Sequence, residues 1–267
     1  MNRSIFIGYD PREFTSFAIA RASVERHLTQ QIPVFAVILD DLKAAGLYTR
    51  PMEWRRSAAD RSIMWDVISD AAMSTEHANA RFLVPYLARS QSRVGFQPLG
   101  EKTPCFVQGS AGWALFMDGD MLARANLARA FESLDPEKAV YCVQHEFCPA
   151  PGVKMDGQEQ TLYARKNWSS FMIFNCGHRA NAALTPEFVN SVPGRDLHRF
   201  CWLKDDEIGA LDPVWNWLVR YSDKAIDPKV VHFTAGCPDM PGYENDDYAD
   251  EWRSWRERLA RGAQRAA

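Results

Sequence analysis

No stretch of the 267-residue sequence is apolar for long enough to span a bilayer, so no membrane-spanning segment is expected. A glycine-rich phosphate loop is missing too. Gly8 stands alone in Gly8-Tyr9-Asp10-Pro11, which argues against a kinase or ATPase. The absence of a Gly-x-Ser-x-Gly elbow argues against a serine hydrolase. Charge of either sign is scarce in excess: the net charge is −3, which argues against a generic nucleic-acid binder. Cysteine is sparse and scattered, at 105, 142, 148, 176, 201 and 237, and several of the six lie in apolar runs, as buried free thiols do. Cys142, His145 and Cys148 have a zinc-like spacing but supply only three local ligands, too few for a structural site. Met1-Asn2-Arg3-Ser4 passes straight into a strand-like run with no secretory signal, so a reducing cytoplasm is the expected compartment. Repeats, low-complexity segments and clean linkers are also lacking. One domain over 1–267 is expected, with 245–267 a basic amphipathic tail.

What is present is an alternation of strands and helices with 46% apolar residues, enough for a substantial core without disulfides. Ile5 to Gly8, Val34 to Leu39, Val140 to Val143 and Ser170 to Phe174 read as buried strands, and Val230 to Phe233 as a closing one. Thr15 to Leu28, Arg61 to Met73 and Ser74 to Ala88 read as helices, the last capped by Ser74 or Thr75, and helical spacing returns over Ile208, Leu211, Val214, Trp215 and Leu218. Such alternation predicts an α/β fold with a mixed, mainly parallel sheet flanked by helices and ligands at the carboxyl ends of its strands.

The densest chemical signal is Ala114-Leu115-Phe116-Met117-Asp118-Gly119-Asp120. An apolar strand stops at two carboxylates, and residues i and i+2 of an extended segment point the same way. Asp118 and Asp120 can therefore approach one hard divalent cation, although Asp-Gly is also ordinary turn chemistry. His232, at the end of another strand and before the small-residue loop Ala235-Gly236-Cys237-Pro238, completes a plausible Mn²⁺ set, with Mg²⁺ an alternative. Arg81 is a cation inside an apolar pattern and needs a carboxylate or phosphate, unless its stem merely covers the core. Lys166, Asn167, Trp168, Ser169 and Ser170 combine a cation, an aromatic face and hydroxyls suited to a sugar, although an ordinary loop has the same composition. Asp205, Asp206 and Glu207 favour a helix dipole, and one of them could act on a sugar hydroxyl or the reacting carbon.

In this order the segments resemble the GT-A-fold glycosyltransferases, most closely the retaining group that contains glycogenin and the bacterial lipooligosaccharide galactosyltransferases. Phe116 to Asp120 resembles that group's Asp-x-Asp, and His232 to Pro238 its late His-x-x-Gly loop. Asp205-Asp206-Glu207 falls where the group carries Asp-Gln-Asp, Arg81 lies on a helix like the one that approaches the donor diphosphate, and Lys166 to Asn175 resembles a bacterial and phage branch. The loop at Gly236 lacks the group's lysine. The resemblance implies a metal-dependent transferase taking a nucleotide-sugar donor, most readily a UDP-sugar, to a carbohydrate, lipid-linked or protein acceptor with retention of configuration. Gly8, Tyr9, Asp10 and Gly236 would hold the donor. Lys166, Asn167, Trp168, Ser169 and Ser170 would surround its sugar, Asp118, Asp120 and His232 would bind metal, and Asp205, Asp206 and Arg81 would be catalytic. The tail's Trp252, Arg253, Trp255, Arg256, Arg258 and Arg261 could touch an anionic membrane or simply dock on the domain. A nucleotide-sugar-forming nucleotidyltransferase, a non-catalytic nucleotide or carbohydrate binder and an aspartate phosphatase are the rival readings.

Overall fold

The computed structural model describes residues 2–56, 60, 62–89, 112–146 and 165–266. Of the residues singled out from sequence, Arg61, Cys105, Cys148, Tyr163 and Ala164 lie outside the described ones.

The first strand, β1 (Arg3–Tyr9), leads through a 3-10 turn at Pro11–Glu13 into α1 (Phe14–His27). Next come β2 (Val34–Ile38), α2 (Leu39–Ala44), β3 (Met52–Arg56), β4 (Ser62–Asp66) and β5 (Ala71–Ala72). A 3-10 helix, Glu76–Leu83, runs into α3 (Val84–Arg89). The strands β6 (Trp113–Met117), β7 (Met121–Ala123), β8 (Val140–Cys142) and β9 (Phe171–Asn175) follow. After α4 (Pro186–Ser191) and α5 (Gly194–His198) come β10 (Ile208–Ala210), β11 (Trp217–Leu218), β12 (Val230–His232) and the C-terminal α6 (Ala249–Ala266).

The expected α/β architecture is observed. A six-stranded sheet in the order β10-β8-β9-β6-β1-β2 is parallel except at β9, which runs antiparallel to both of its neighbours. Both faces are covered, which explains the unbroken apolar runs. Phe6, Ala114, Phe116, Met172 and Phe174 pack towards α3 and the Glu76–Leu83 helix. Their alternates Ile5, Ile7, Leu115, Met117 and Ile173 pack towards Phe17, Ala20 and Val24 of α1. A third cluster joins α1, the small sheet β11-β12-β7 and α6 through Ile19, Leu122, Val231, Trp252 and Trp255. The tail's aromatic face is thus used inside the fold: Trp252 is 1% exposed, and Arg253 pairs with Asp250. Among the described residues no helix is long and apolar enough to cross a membrane.

Three sequence expectations fail here. The helix expected over Arg61 to Met73 is, from residue 62 on, the strands β4 and β5, because β4 finds a hairpin partner in β3 and Trp65 lies under the Arg55 guanidinium, 4.3 Å from its ring centre. The helix expected over Ser74 to Ala88 is a 3-10 segment that turns α-helical only at Val84, where Pro85 occupies a position that needs no backbone donor. Thr75 sits at its N-terminus without capping it, its hydroxyl bonding His77 Nδ1 instead, 2.6 Å away. The helical spacing over 208–218 resolves into β10, a 3-10 turn at Pro213–Trp215 and β11, since Asp212 caps the turn through Val214 N–H.

Candidate active site

β1 and β6 run parallel and end together, so Gly8 and Asp118 meet at the carboxyl edge of the sheet. A Cβ on Gly119 would lie 2.5 Å from the carbonyl oxygen of Gly8, so the closeness of these strand ends requires glycine between the two acids. The chain then turns into β7, which pairs antiparallel with β12 and sets His232 opposite Met121. This pairing brings a histidine more than a hundred residues distant beside Asp120: its Nε2 lies 3.3 Å from Asp120 Oδ1. Because β9 is antiparallel, the turn preceding it reaches the same edge, with Asp118 N–H donating to Ser170 O at 3.0 Å.

Donor atoms of Asp118, Asp120 and His232 all lie within 4.8 Å of one another. A hydrogen-bond chain decides what the imidazole offers. Ser170 Oγ donates to Asn167 O at 2.6 Å, and Asn216 Nδ2 donates to Ser170 Oγ at 2.9 Å. Asn216 Oδ1 is therefore the atom 3.0 Å from His232 Nδ1, and it accepts the proton that Nδ1 carries. Nε2 is left as the ring nitrogen that faces Asp120. Two carboxylates and such a nitrogen suit a divalent cation.

Arg81 is nearly buried and balances the acids. Its Nη2 lies 2.9 Å from Asp118 Oδ1, Nη1 donates to Asp118 Oδ2 at 3.2 Å and to Ser169 O at 2.9 Å, and Nε donates to Ala78 O at 2.7 Å. Burial still pushes the Asp118 carboxyl above the usual range, with Asp120 adding to the effect and Arg81 and His232 opposing it. Burial likewise pulls His77 down to about 4, although Asp10 lies 3.6 Å away.

The acids sit between two lobes of one cleft. One lobe is lined by Gly8, Asp10, His77, Gly119 and Phe233 to Cys237. The other, about 1060 Å³ including its open mouth, is lined by Ser69, Asn79, Lys166, Asn167, Ser169, Ser170, Gly194 and His198. Arg81, Asp118, Asp120, Thr75 and Thr234 belong to both.

No family model matches the sequence. Protein CDI of Arabidopsis thaliana is 36% identical over 253 residues, which span 93% of this chain and 83% of that protein. The chain belongs to the Protein CDI family. Its fold is the GT-A glycosyltransferase fold. The bifunctional glycosyltransferase WbbM superposes with a TM-score of 0.55 at 13% identity over 96% of this chain, which spans about half of that polypeptide (49%). The galactosyltransferase LgtC superposes with a TM-score of 0.51 at 10% identity over 95% of each chain.

The structure brings together Gly8, Asp10, Arg81, Asp118, Asp120, Lys166, Asn167, Ser169, Ser170, His232 and Gly236 along this cleft. Four sequence candidates lie elsewhere. Tyr9 packs edge-on against Phe17, 5.0 Å between ring centres, on the core side of β1. Trp168 donates from Nε1 to His145 O at 2.9 Å and packs on the core. Asp205 and Asp206 precede β10, which runs parallel to β8, and neither lines the cleft: Asp206 stands at the amino edge of the sheet beside Gly112, Trp113 and Asn175. Asp205 is instead taken up by Arg165, and the Asp206 carbonyl accepts from Lys138 Nζ at 2.7 Å. Sequence reasoning passed over Asn79, His198 and Asn216. Each is a single polar residue in an apolar neighbourhood, and burial, not pattern, marks it out.

Proposed function

We propose that this chain is a divalent-metal-dependent glycosyltransferase that moves a hexosyl group from a nucleoside-diphosphate donor, UDP-linked by the resemblance above, to a carbohydrate-bearing or lipid-linked acceptor. The observation that carries the reading is the convergence of Asp118, Asp120 and His232 at the point where two lobes of one cleft meet. The nucleoside takes the lobe beside Gly8 and Gly236, its diphosphate lies over the acids, and the sugar occupies the lobe lined by Asn167, Ser169 and Ser170.

Asp118, Asp120 and His232 Nε2 are the groups that would hold Mn²⁺ or Mg²⁺, and such a cation neutralises the charge that gathers on a departing diphosphate. Arg81 supports this role from the protein side. It is held by Asp118, Ser169 O and Ala78 O, so its charge is fixed in place before a donor arrives. Lys166 at the sugar lobe provides a second positive contact. Transfer with retention fits the acids that line the lobe among the described residues. Asp66 is committed to Arg50 and Ser69, and Asp118 and Asp120 to the cation site, so none serves as a base on the far side of the sugar.

Calorimetric titration of UDP with and without Mn²⁺, followed by an assay of UDP-sugar hydrolysis, tests the proposal. UDP should bind tightly only with the metal, and Asp120→Asn should cut turnover by about 10²-fold or more while the melting temperature holds. Metal-independent UDP binding, or unchanged turnover in the variant, removes the reading. Metal-dependent binding with no turnover on any donor favours a non-catalytic nucleotide-sugar binder.

A further inference from the structure

The far wall of the sugar lobe holds an unusual side chain. Asn79 is 0% exposed, lines the cavity, and makes no well-formed hydrogen bond at either Nδ2 or Oδ1. The phenol oxygen of Tyr48 stands close enough to take a weak hydrogen bond from the amide, but its own proton goes to Glu76 O at 2.8 Å, so Oδ1 gains no donor from it. Leaving such a group unsatisfied is costly, and a cavity next to it provides somewhere for a partner to come from. Across from the amide is Gly194. A Cβ there would lie 2.9 Å from Asn79 Oδ1 and 3.1 Å from Nδ2, so only glycine at 194 lets the amide keep its place in the wall.

Behind this wall the charges of Arg50 and Asp66 cancel each other. Arg50 donates to Asp66, as does Ser69 Oγ, and Gly194 N–H donates to Ser69 Oγ at 2.7 Å. What faces the cavity is a neutral amide that can both donate and accept, among small residues such as Ala72 and Ala78. A sugar hydroxyl, itself donor and acceptor, matches it, whereas a uronate carboxylate placed against this amide would meet a neutral group, the Arg50 charge behind it being already spent on Asp66. We propose that this wall is a recognition site for a hydroxyl of a neutral hexosyl group, with Asn79 the residue that reads it and Gly194 the residue that lets the amide keep its position. The proposal rests on the glycosyltransferase reading above and adds to it the class of sugar carried.

Titration calorimetry with Mn²⁺ on the full chain, using UDP, UDP-glucose, UDP-galactose and UDP-glucuronate, tests it. Wild-type protein should bind one of the neutral UDP-hexoses at least about tenfold tighter than UDP-glucuronate. Asn79→Ala should weaken that hexose by about 5- to 100-fold, the range expected when a buried amide loses its partner, while UDP affinity changes less than about twofold. Gly194→Ala should shift the same ratio in the same direction, and it keeps the test open should Asn79→Ala fail to fold. Equal hexose affinity in wild type and variants, or glucuronate bound as tightly as the neutral sugars, overturns this inference while leaving the glycosyltransferase reading intact. Failure of wild-type protein to bind UDP at all removes both.

Discussion

A histidine gives a metal only the nitrogen that its other nitrogen's partner leaves bare, so the residue that decides the chemistry of His232 is Asn216. Its own amide is oriented by Ser170 Oγ and Asn167 O, and its oxygen fixes the Nδ1–H form of the ring. Asn216→Ala should lower Mn²⁺ affinity by about 10- to 100-fold, the usual cost of losing a group that orients a ligand. Calorimetry of Mn²⁺ alone measures this, and the ¹⁵N shifts of His232 should show the ring passing from one tautomer to a mixture. Unchanged affinity and shifts would make Asn216 a packing residue. At this scale sequence was informative where chemistry repeats a pattern. Two acids spaced i, i+2 after an apolar strand are visible in any extended segment, and a histidine at a strand end is visible beside them. Asn79 and Asn216 carry no such spacing. Asp205 and Asp206 do carry an acidic pattern, and it misled, because an acidic run reads the same at either edge of a sheet.

That edge is a property of elements. β9, antiparallel among parallel neighbours, delivers Asn167 to Ser170 to the carboxyl edge and sends the chain back so that the turn holding Asp206 enters β10 from the other edge. Strand direction is not written in apolar runs, which explains why the strands were legible but their order was not. The hairpin β3-β4 was illegible for a different reason. Its apolar residues fit a helical repeat nearly as well as an alternating one, and what settles the matter is a long-range anchor. Arg50, 4% exposed, donates to Asp66 on β4 at 2.5 Å and to Val189 O and Val192 O at 2.7 Å each, tying the hairpin to α4 and the segment after it. Arg50→Met would keep the volume and leave the buried Asp66 without its cation, and breaking a buried pair on one side costs about 3–5 kcal/mol. Urea unfolding should show that loss. The double variant Arg50→Met, Asp66→Leu should recover part of it, since removing both charges leaves neither stranded. A single variant as stable as wild type would mean that the hairpin is held by its strand pairing alone.

Taken over the whole molecule, the burial that shapes the cleft also sets how the fold responds to acid. Burial depresses His77 to about 4 from an ordinary value of 6.5, and His145 to about 4 by the same cause with help from the charge of His232. Between these limits the unfolded chain binds protons that the folded chain refuses, so stability is full above about pH 6.5 and is lost as the pH falls towards 4. Asp10 contributes in a separate window. Burial raises its pKa, but Arg12 and His77 together bring it below 3.8, so its share is lost only as the pH falls below that value. Thermal melts from pH 8 to pH 4 should therefore show a falling melting temperature that starts near pH 6.5, well above the range where carboxylates titrate. His77→Gln keeps a polar side chain beside Thr75 and Asp10 but removes the proton site, so its melting temperature should fall less steeply between pH 6.5 and 4 than that of wild type. Above about pH 7, where both histidines are neutral in folded and unfolded chains alike, the two curves should run parallel. A wild-type curve flat down to pH 4.5 would mean that both histidines take up protons in the folded state as readily as in the unfolded one, and the cleft wall at His77 would then have to admit enough water to solvate the charge.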